Sequence, residues 1–267
     1  MKKIDNTPSK TIALITGASS GIGYELAKVF AQHGHDLVLV ARNQDKLSQL
    51  AEELRAAFDV TVKVLAKDLS IPTAVPELVA ELQQRAIRIN FLVNNAGVDV
   101  YGYFYDTDWT QELEMIQLNL VSLTHLTKLL LADMRGQGSG RILNLGSTGS
   151  YVPSPLNTVY SATKAYVWSF STALAEELQG TGITVTVLCP GATKTEFQER
   201  AHIENVRLLR FGVMNAASVA EAGYRAMVSG KRIAVPGLYN KTQVLLTRLL
   251  PNRLMVRMAK AMLQPMR

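Results

Sequence analysis

The chain has 267 residues, of which 48% are hydrophobic and 19% charged, with a formal net charge of +6. Such a composition excludes a disordered chain, and the length suits one large α/β domain. Cys189 is the only cysteine, which excludes an intramolecular disulfide and makes a reducing, cytoplasmic setting the expected one.

No apolar run approaches the roughly 18–20 residues of a membrane span, and MKKIDNTPSK lacks the apolar stretch of a secretory signal. The charge is uneven. No Asp or Glu follows Glu221, whereas nine Lys and Arg do, so the basic excess belongs to the tail and the rest is mildly acidic. Those basic residues are not interleaved with aromatics, so no nucleic-acid partner is expected. No metal site is expected either.

Taken in order, residues 11–16 (TIALIT) form an apolar, β-rich run that ends at Gly17. A continuous apolar strand fits a parallel sheet covered on both faces. Thr16, Gly17, Ser19, Ser20, Gly21, Ile22 and Gly23 then lead directly into a helical pattern with Leu26, Val29 and Phe30 on one face. A strand, a glycine turn and a helix in succession bring a pyrophosphate to open backbone N–H groups; a tight turn without a ligand is the alternative. The strand Asp36–Ala41 ends in Arg42, with no carboxylate before Asp45. An acid there would bind ribose hydroxyls, whereas an arginine accommodates a 2′-phosphate, so NADP(H) is expected over NAD(H). A solvated arginine opening the next helix is the bland alternative.

The spacing predicts a helix over 44–57, a strand over 60–66 followed by Asp68 and Leu69, and a helix near 77–84. A short strand over 91–93 runs into Asn94, Asn95, Ala96 and Gly97. An aromatic loop follows with Tyr101, Tyr103, Phe104 and Tyr105, at the carboxyl end of the sheet where ligands bind. Asp108 is placed to cap a long helix with Leu113, Ile116, Leu120, Leu123 and Leu126 on its apolar stripe. Asn119 lies among them, a residue costly to bury unpaired, unless it faces the surface.

A fifth strand over 141–146 delivers Ser147, and the Gly-, Ser- and Pro-rich stretch 148–157 is expected to be non-helical. The next helix carries Tyr160 and Lys164, four residues apart and so on one face. A free tyrosine titrates near 10; bringing it near 7 takes about 4 kcal/mol in favour of phenolate, and a neighbouring ammonium acts in that direction. A packed tyrosine beside a solvated lysine is the alternative for the pair alone. A sixth strand over 183–188 ends in Cys189, Pro190 and Gly191, with Thr193 and Thr195 beyond. Residues 196–215 have no clean period and suit a flap; a helix over 218–228 and a seventh strand over 232–235 complete the body.

Together these stretches resemble the short-chain dehydrogenase/reductase family, over about residues 11–236. Thr16–Gly23 (TGASSGIG) is similar to its cofactor motif, Asp68 to the acid beside the adenine, and Asn94–Gly97 (NNAG) to the central-strand motif. Asn119, Ser147, Tyr160 and Lys164 correspond to its catalytic tetrad, and Pro190-Gly191 with Thr195 to its PGxxxT segment. The resemblance implies a Rossmann-type, doubly wound parallel sheet of about seven strands with helices on both faces. It implies Tyr160 as general acid, Lys164 lowering the tyrosine and bonding the nicotinamide ribose, Ser147 polarising the carbonyl, and Asn119 holding a water. Ser20 departs from NADP-preferring relatives, which carry a basic residue there, so Arg42 must carry the preference alone.

The apolar and aromatic loop residues, with Tyr101, Tyr103, Tyr151 and Phe197 as the expected pocket and Leu208, Leu209 and Phe211 nearby, point to a lipophilic ketone or aldehyde, steroid-like, acyl or aromatic. A non-catalytic NADP-binding sensor or scaffold is the alternative function. The expected organisation is an N-terminal extension over 1–10, a catalytic domain over 11–238 and a basic amphipathic helical extension over 239–267, broken by Pro251. That tail suits three roles: a cover for the protein's own pocket or sheet edge, a peripheral contact with an anionic membrane through 239–263, or a subunit contact. A homo-dimer or homo-tetramer is the expected assembly.

Overall fold

Short apolar runs and amphipathic helices alternate along the chain, and each run becomes a strand. The computed structural model describes residues 10–266 apart from 202, 204 and 211. Almost all of the expected N-terminal extension, Phe211 and Arg267 therefore lie outside the described residues. The elements are β1 (Ile12–Thr16), α1 (Gly21–Gln32), β2 (Asp36–Ala41), α2 (Gln44–Ala57), β3 (Val62–Ala66), α3 (Ala74–Gln84) and β4 (Phe91–Asn94). They continue with α4 (Trp109–Ile116), α5 (Leu123–Gln137), β5 (Gly140–Leu145), α6 (Thr158–Glu177), β6 (Ile183–Leu188), β7 (Thr193–Lys194) and α7 (Phe197–Arg200). Last come β8 (Met214–Asn215), α8 (Ala216–Val228), β9 (Ile233–Ala234), α9 (Leu238–Leu249) and α10 (Asn252–Leu263).

Seven strands form one parallel sheet in the order β3-β2-β1-β4-β5-β6-β9. Ile15 of β1 aligns with Leu39 of β2 and Val93 of β4. Strand side chains alternate between faces. Ala13, Ile15, Leu37 and Leu39 pack with Leu26, Phe30, Leu47 and Tyr224 of α1, α2 and α8. Leu14, Val38, Val40 and Leu92 pack on the opposite face with Leu78, Leu126, Leu130 and Leu174 of α3, α5 and α6. The expected doubly wound architecture is therefore present. The strand order reverses between β1 and β4, so their carboxyl ends open a crevice there.

Three local expectations differ. Between α4 and α5 the helix is π-helical over Gln117–Ser122. The buried positions ahead of it are Glu112 and Met115, then Asn119 and Ser122, while Leu113 is 49% exposed. The wide turn inserts a residue and rotates the inward stripe, which a strict 3.6 period misses. Second, Thr148–Tyr151 form one 3-10 turn where none was expected, because Ser147 and Ser150 cap it reciprocally. Third, one helix, Trp109–Gln137, is long and apolar enough to cross a membrane by length and composition, although no uninterrupted apolar run revealed it. Leu126, Leu130 and Met134 of this helix pack into the sheet core. At the end of the region without clean period, β8 pairs with β7, just ahead of that region, as a small parallel ribbon.

Candidate active site

At the crevice, the chain of β1 turns through Gly17 (φ 66°) and Gly21 (φ 58°) before entering α1. Positive φ suits glycine because no Cβ meets the backbone. A Cβ on Gly23 would strike the Gly17 carbonyl oxygen and the Asn95 side chain, so the helix packs on the turn only with glycine there. Asn95 Nδ2 donates to the carbonyls of Thr16 (2.9 Å) and Gly17 (3.2 Å), and Thr16 Oγ1 accepts from the Asn95 and Ala96 amides (3.0 Å each). Thr16 and Asn95 thus lock the turn to the end of β4. Ser20, the N-cap of α1, makes no side-chain capping bond, and the first turn holds no acid. The open N–H groups of this helix start face the crevice.

A cavity of about 850 Å³ runs from that turn across the carboxyl ends of β1, β4, β5 and β6. Gly17, Ser19, Ser20, Gly21, Ile22, Arg42, Asp68, Leu69, Asn95, Ala96 and Gly97 line one arm. Ser147, Tyr160, Lys164, Pro190, Gly191, Thr193, Thr195 and Phe197 line the other. Thr16, Gly23 and Asn119 stand behind the wall, where they act by bonding and packing. Lys46 and Arg200 also line the cavity; Lys46 pairs with Glu196 (2.8 Å) and Arg200 donates to Ser20 Oγ (3.3 Å). Arg200, a candidate anion clamp by sequence, thus reaches the turn, whereas sequence spacing did not reveal Lys46.

The π-helical segment explains Asn119. Its side chain is buried, accepts from the Val98 amide (3.0 Å) and donates to the Val98 carbonyl (2.9 Å) and Thr163 Oγ1 (3.2 Å). It therefore bridges the loop after β4 and α6. Lys164 Nζ donates to the Leu145 carbonyl (2.9 Å) and stands 5.6 Å from the centre of the Tyr160 ring. Ser150 Oγ, which accepts from the Ser147 amide (3.2 Å), donates to the Lys164 carbonyl (2.8 Å) and ties the serine turn to α6. Ser147 Oγ accepts from the Gly149 amide (3.0 Å).

The electrostatics depart from the expected lowering of Tyr160. Burial pushes its phenol well above the usual tyrosine range, nearby Asp99 adds to this, and the Ser147 hydroxyl acts the other way. Burial also pushes the Lys164 ammonium down to about 8, opposed by Asp99 and Cys189. In the protein alone desolvation and the Asp99 charge outweigh the Ser147 bond, and the phenol keeps its proton.

Of the expected pocket aromatics, Phe197 lines the cavity, with its ring centre 5.9 Å from that of Tyr160. The other three stand off the wall. Tyr101 donates to the Leu263 carbonyl (2.6 Å), Tyr103 stacks on Tyr105 at the surface (5.3 Å), and Tyr151 packs on Trp168. Loop position alone does not orient a ring, and each found a partner elsewhere. The wall is completed by residues of the tail: Val244 and Thr247 of α9, and Met255, Met258 and Met262 of α10. Buried Asn240 anchors α9, donating to the Pro236 carbonyl (2.8 Å) and packing where a Cβ on Gly191 would stand. Both helices thus supply part of the cavity wall.

The sequence profile described as short chain dehydrogenase matches residues 11–205. Sulfoacetaldehyde reductase 2 of Chromohalobacter salexigens is 39% identical over 188 residues, 70% of this chain and 74% of that protein. Ketoacyl reductase HetN of Nostoc is 32% identical over 219 residues, 82% of this chain and 75% of its own length. Among solved structures, a short-chain dehydrogenase from Sphingobium yanoikuyae in complex with NADPH superposes with a TM-score of 0.80. It is 34% identical, and the match covers 90% of this chain and 94% of that one.

Proposed function

This chain belongs to the short-chain dehydrogenase family of oxidoreductases, and we propose that it is an NADPH-dependent reductase of lipophilic ketones or aldehydes, steroid-like, acyl or aromatic. The observation that carries the reading is one cavity that joins the uncapped start of α1 to Ser147, Tyr160 and Lys164. The cradle fits a dinucleotide: a Cβ on Gly17 would strike Asn95 and Ala96 and one on Gly21 would strike Thr195, so glycine lets the turn close on these residues while Ser20, Gly21 and Ile22 at the uncapped helix start line the cavity. In this reading Gly17–Gly23 receive the pyrophosphate, Asp68 and Leu69 flank the adenine, and Arg42 takes the 2′-phosphate with Lys46 and Arg200 nearby. Asn95–Gly97, Pro190, Gly191, Thr193 and Thr195 flank the nicotinamide end. NADPH, when bound, supplies the hydride.

The remaining chemistry belongs to the chain. Ser147 Oγ holds the carbonyl oxygen and polarises it. Tyr160, kept protonated by burial, donates its proton to that oxygen. Lys164 compensates the developing phenolate, and Asn119 holds the loop and helix that frame the exchange. The apolar wall of Phe197, Ile203, Leu208, Met255, Met258 and Met262 supports a lipophilic substrate over a small anion such as sulfoacetaldehyde. A panel of ketones and aldehydes of graded size, followed by loss of nicotinamide absorbance, tests the reading. Turnover of aryl and long-chain carbonyls is expected, and Tyr160→Phe should lose at least about 100-fold while still binding NADPH. Unchanged turnover in that variant would sink the mechanism.

Two finer features complete the proposal. Exposed Trp109, Leu113, Val121 and Tyr166 on α4–α5 and α6 support a homo-dimer or homo-tetramer, which sedimentation velocity reads directly. Leu238, Leu245, Leu249 and Leu254 are exposed on α9 and α10 among Arg248, Arg253 and Arg257, which supports a cytoplasmic enzyme with peripheral contact to anionic membrane. Co-sedimentation with phosphatidylserine vesicles should fall when Leu245 and Leu249 are both changed to glutamate. Equal recovery removes the membrane contact.

A further inference from the structure

Asp99 lies two residues beyond Gly97, on the loop after β4, and lines the cavity. It is only 8% exposed, and its Oδ1 is closed off from solvent without a hydrogen-bond partner. Its Oδ2 accepts from Asn157 Nδ2 (2.6 Å). Asn157 is the N-cap of α6, the helix that carries Tyr160 and Lys164, yet its side chain caps nothing. Asparagine at this position ordinarily accepts from its own helix. Here it is diverted to Asp99, and its Oδ1 is likewise buried without a partner. The contact is reinforced alongside, where the Gly102 amide donates to the carbonyl of Leu156 (2.8 Å), a leucine held at φ 74°. Two unpaired buried oxygens and a left-handed leucine are local sacrifices at one joint, and strain of this kind concentrates at functional sites.

The groups that act on this carboxyl are few. Lys164 is the cation within electrostatic reach, and it donates to the Leu145 carbonyl instead of pairing with Asp99. Tyr160 is the titratable group that the Asp99 charge raises, and Cys189 on β6 acts on Lys164 from the other side. Burial without a contacting cation pushes the Asp99 carboxyl up to about 7, against the Asn157 and Val100 bonds and the Lys164 charge. A Cβ on Gly97 would stand 3.5 Å from Lys164 Nζ, so the loop that carries Asp99 runs beside the lysine, and ionisable groups coupled in this way titrate as a set.

We propose that Asp99 is a positioning residue of the reaction: tied to the first turn of α6 through Asn157, its carboxyl sets where protons reside on the Tyr160–Lys164 pair. The proposal rests on Tyr160 and Lys164 being the reacting pair. A charged Asp99 keeps the phenol protonated and the lysine cationic; a neutral one releases both. The unpaired oxygen is closed off from solvent, so the charge acts through the reacting pair and not by a bond to the substrate.

The test reads Lys164 without turnover, by ¹³C NMR titration of reductively methylated full-length protein, with its signal assigned through Lys164→Arg. In Asp99→Asn the Lys164 midpoint should fall by about one pH unit, the scale of a partly buried charge at this range. Asn157→Ala keeps the carboxyl but removes the bond that favours its charged form, so the Lys164 midpoint should fall in the same direction as in Asp99→Asn, with kcat lowered. The alkaline limb of kcat/KM for reduction should move with the Lys164 midpoint. An unmoved Lys164 midpoint in folded Asp99→Asn overturns the proposal. If that variant does not fold, the carboxyl of Asp99 in the unaltered protein decides: a midpoint in the ordinary carboxylate range, with the Lys164 signal blind to it, also overturns it. A shifted Lys164 in a protein that reduces no carbonyl on the panel would instead refute the proposed reaction and leave the coupling standing.

Discussion

Replacing Asp99 by asparagine is expected to stabilise the protein at neutral and alkaline pH and to leave it nearly unchanged in acid. The carboxyl rises from its ordinary 3.8 to about 7 in the folded protein. Between those values the folded state binds more protons than the unfolded one, so this group's contribution falls as pH rises through that window. A rise of that size corresponds to roughly 4 kcal/mol of destabilisation once Asp99 is fully ionised. Asparagine removes the charge and keeps a group for Asn157. Relative to the parent, the variant should gain roughly 2–3 kcal/mol between pH 5 and pH 8, because part of the penalty is already present at pH 5. For a domain of this size that is roughly 5–10 °C in Tm. Thermal unfolding of both proteins by circular dichroism, across pH 4.5 to 8.5 at fixed salt, reads the difference. A constant offset across that range, or a gain in acid instead, refutes a buried and unpaired carboxylate at this position.

Gly23→Ala should lower NADPH affinity at least about tenfold and cost about 1–3 kcal/mol, since its methyl group meets a carbonyl and an amide that are both fixed. Gly136→Ala is the control: it lies in α5 with open space around its Cβ, and should stabilise by roughly 0.5–1 kcal/mol in the same melts. Arg42→Ala should weaken NADPH about tenfold and leave NADH unchanged, measured by fluorescence titration; equal losses would show that it does not read the 2′-phosphate. Cys189 is fully buried with its thiol pushed up to about 11, so a disulfide reagent at pH 8 should react only at the rate of unfolding.

Much of the site could be read from residue order because its parts are local. Thr16–Gly23 encode a strand, a turn and a helix in eight consecutive residues, and Tyr160 and Lys164 share a face through helix geometry alone. Asp108 caps its helix as its position suggested, accepting from the Gln111 amide (3.0 Å). Where the reading failed, a long-range partner or a local break in helical period decided the outcome. Tyr101 turned to Leu263, Tyr151 to Trp168, and the π-helical turn rotated Leu113 outward.

The order of chemistry-bearing residues along alternating strands and helices thus determined the sheet, the crevice and the shared face of Tyr160 and Lys164, because period and turn chemistry act over a few residues. Tertiary structure alone decided the rest. Whether Asp99 is solvated or shut away, that Arg200 lines the same cavity as Arg42, and that the methionines of α10 line the pocket all depend on desolvation and packing between segments far apart in the chain. No local pattern carries that information, since burial is a property of what surrounds a residue and not of its neighbours in sequence.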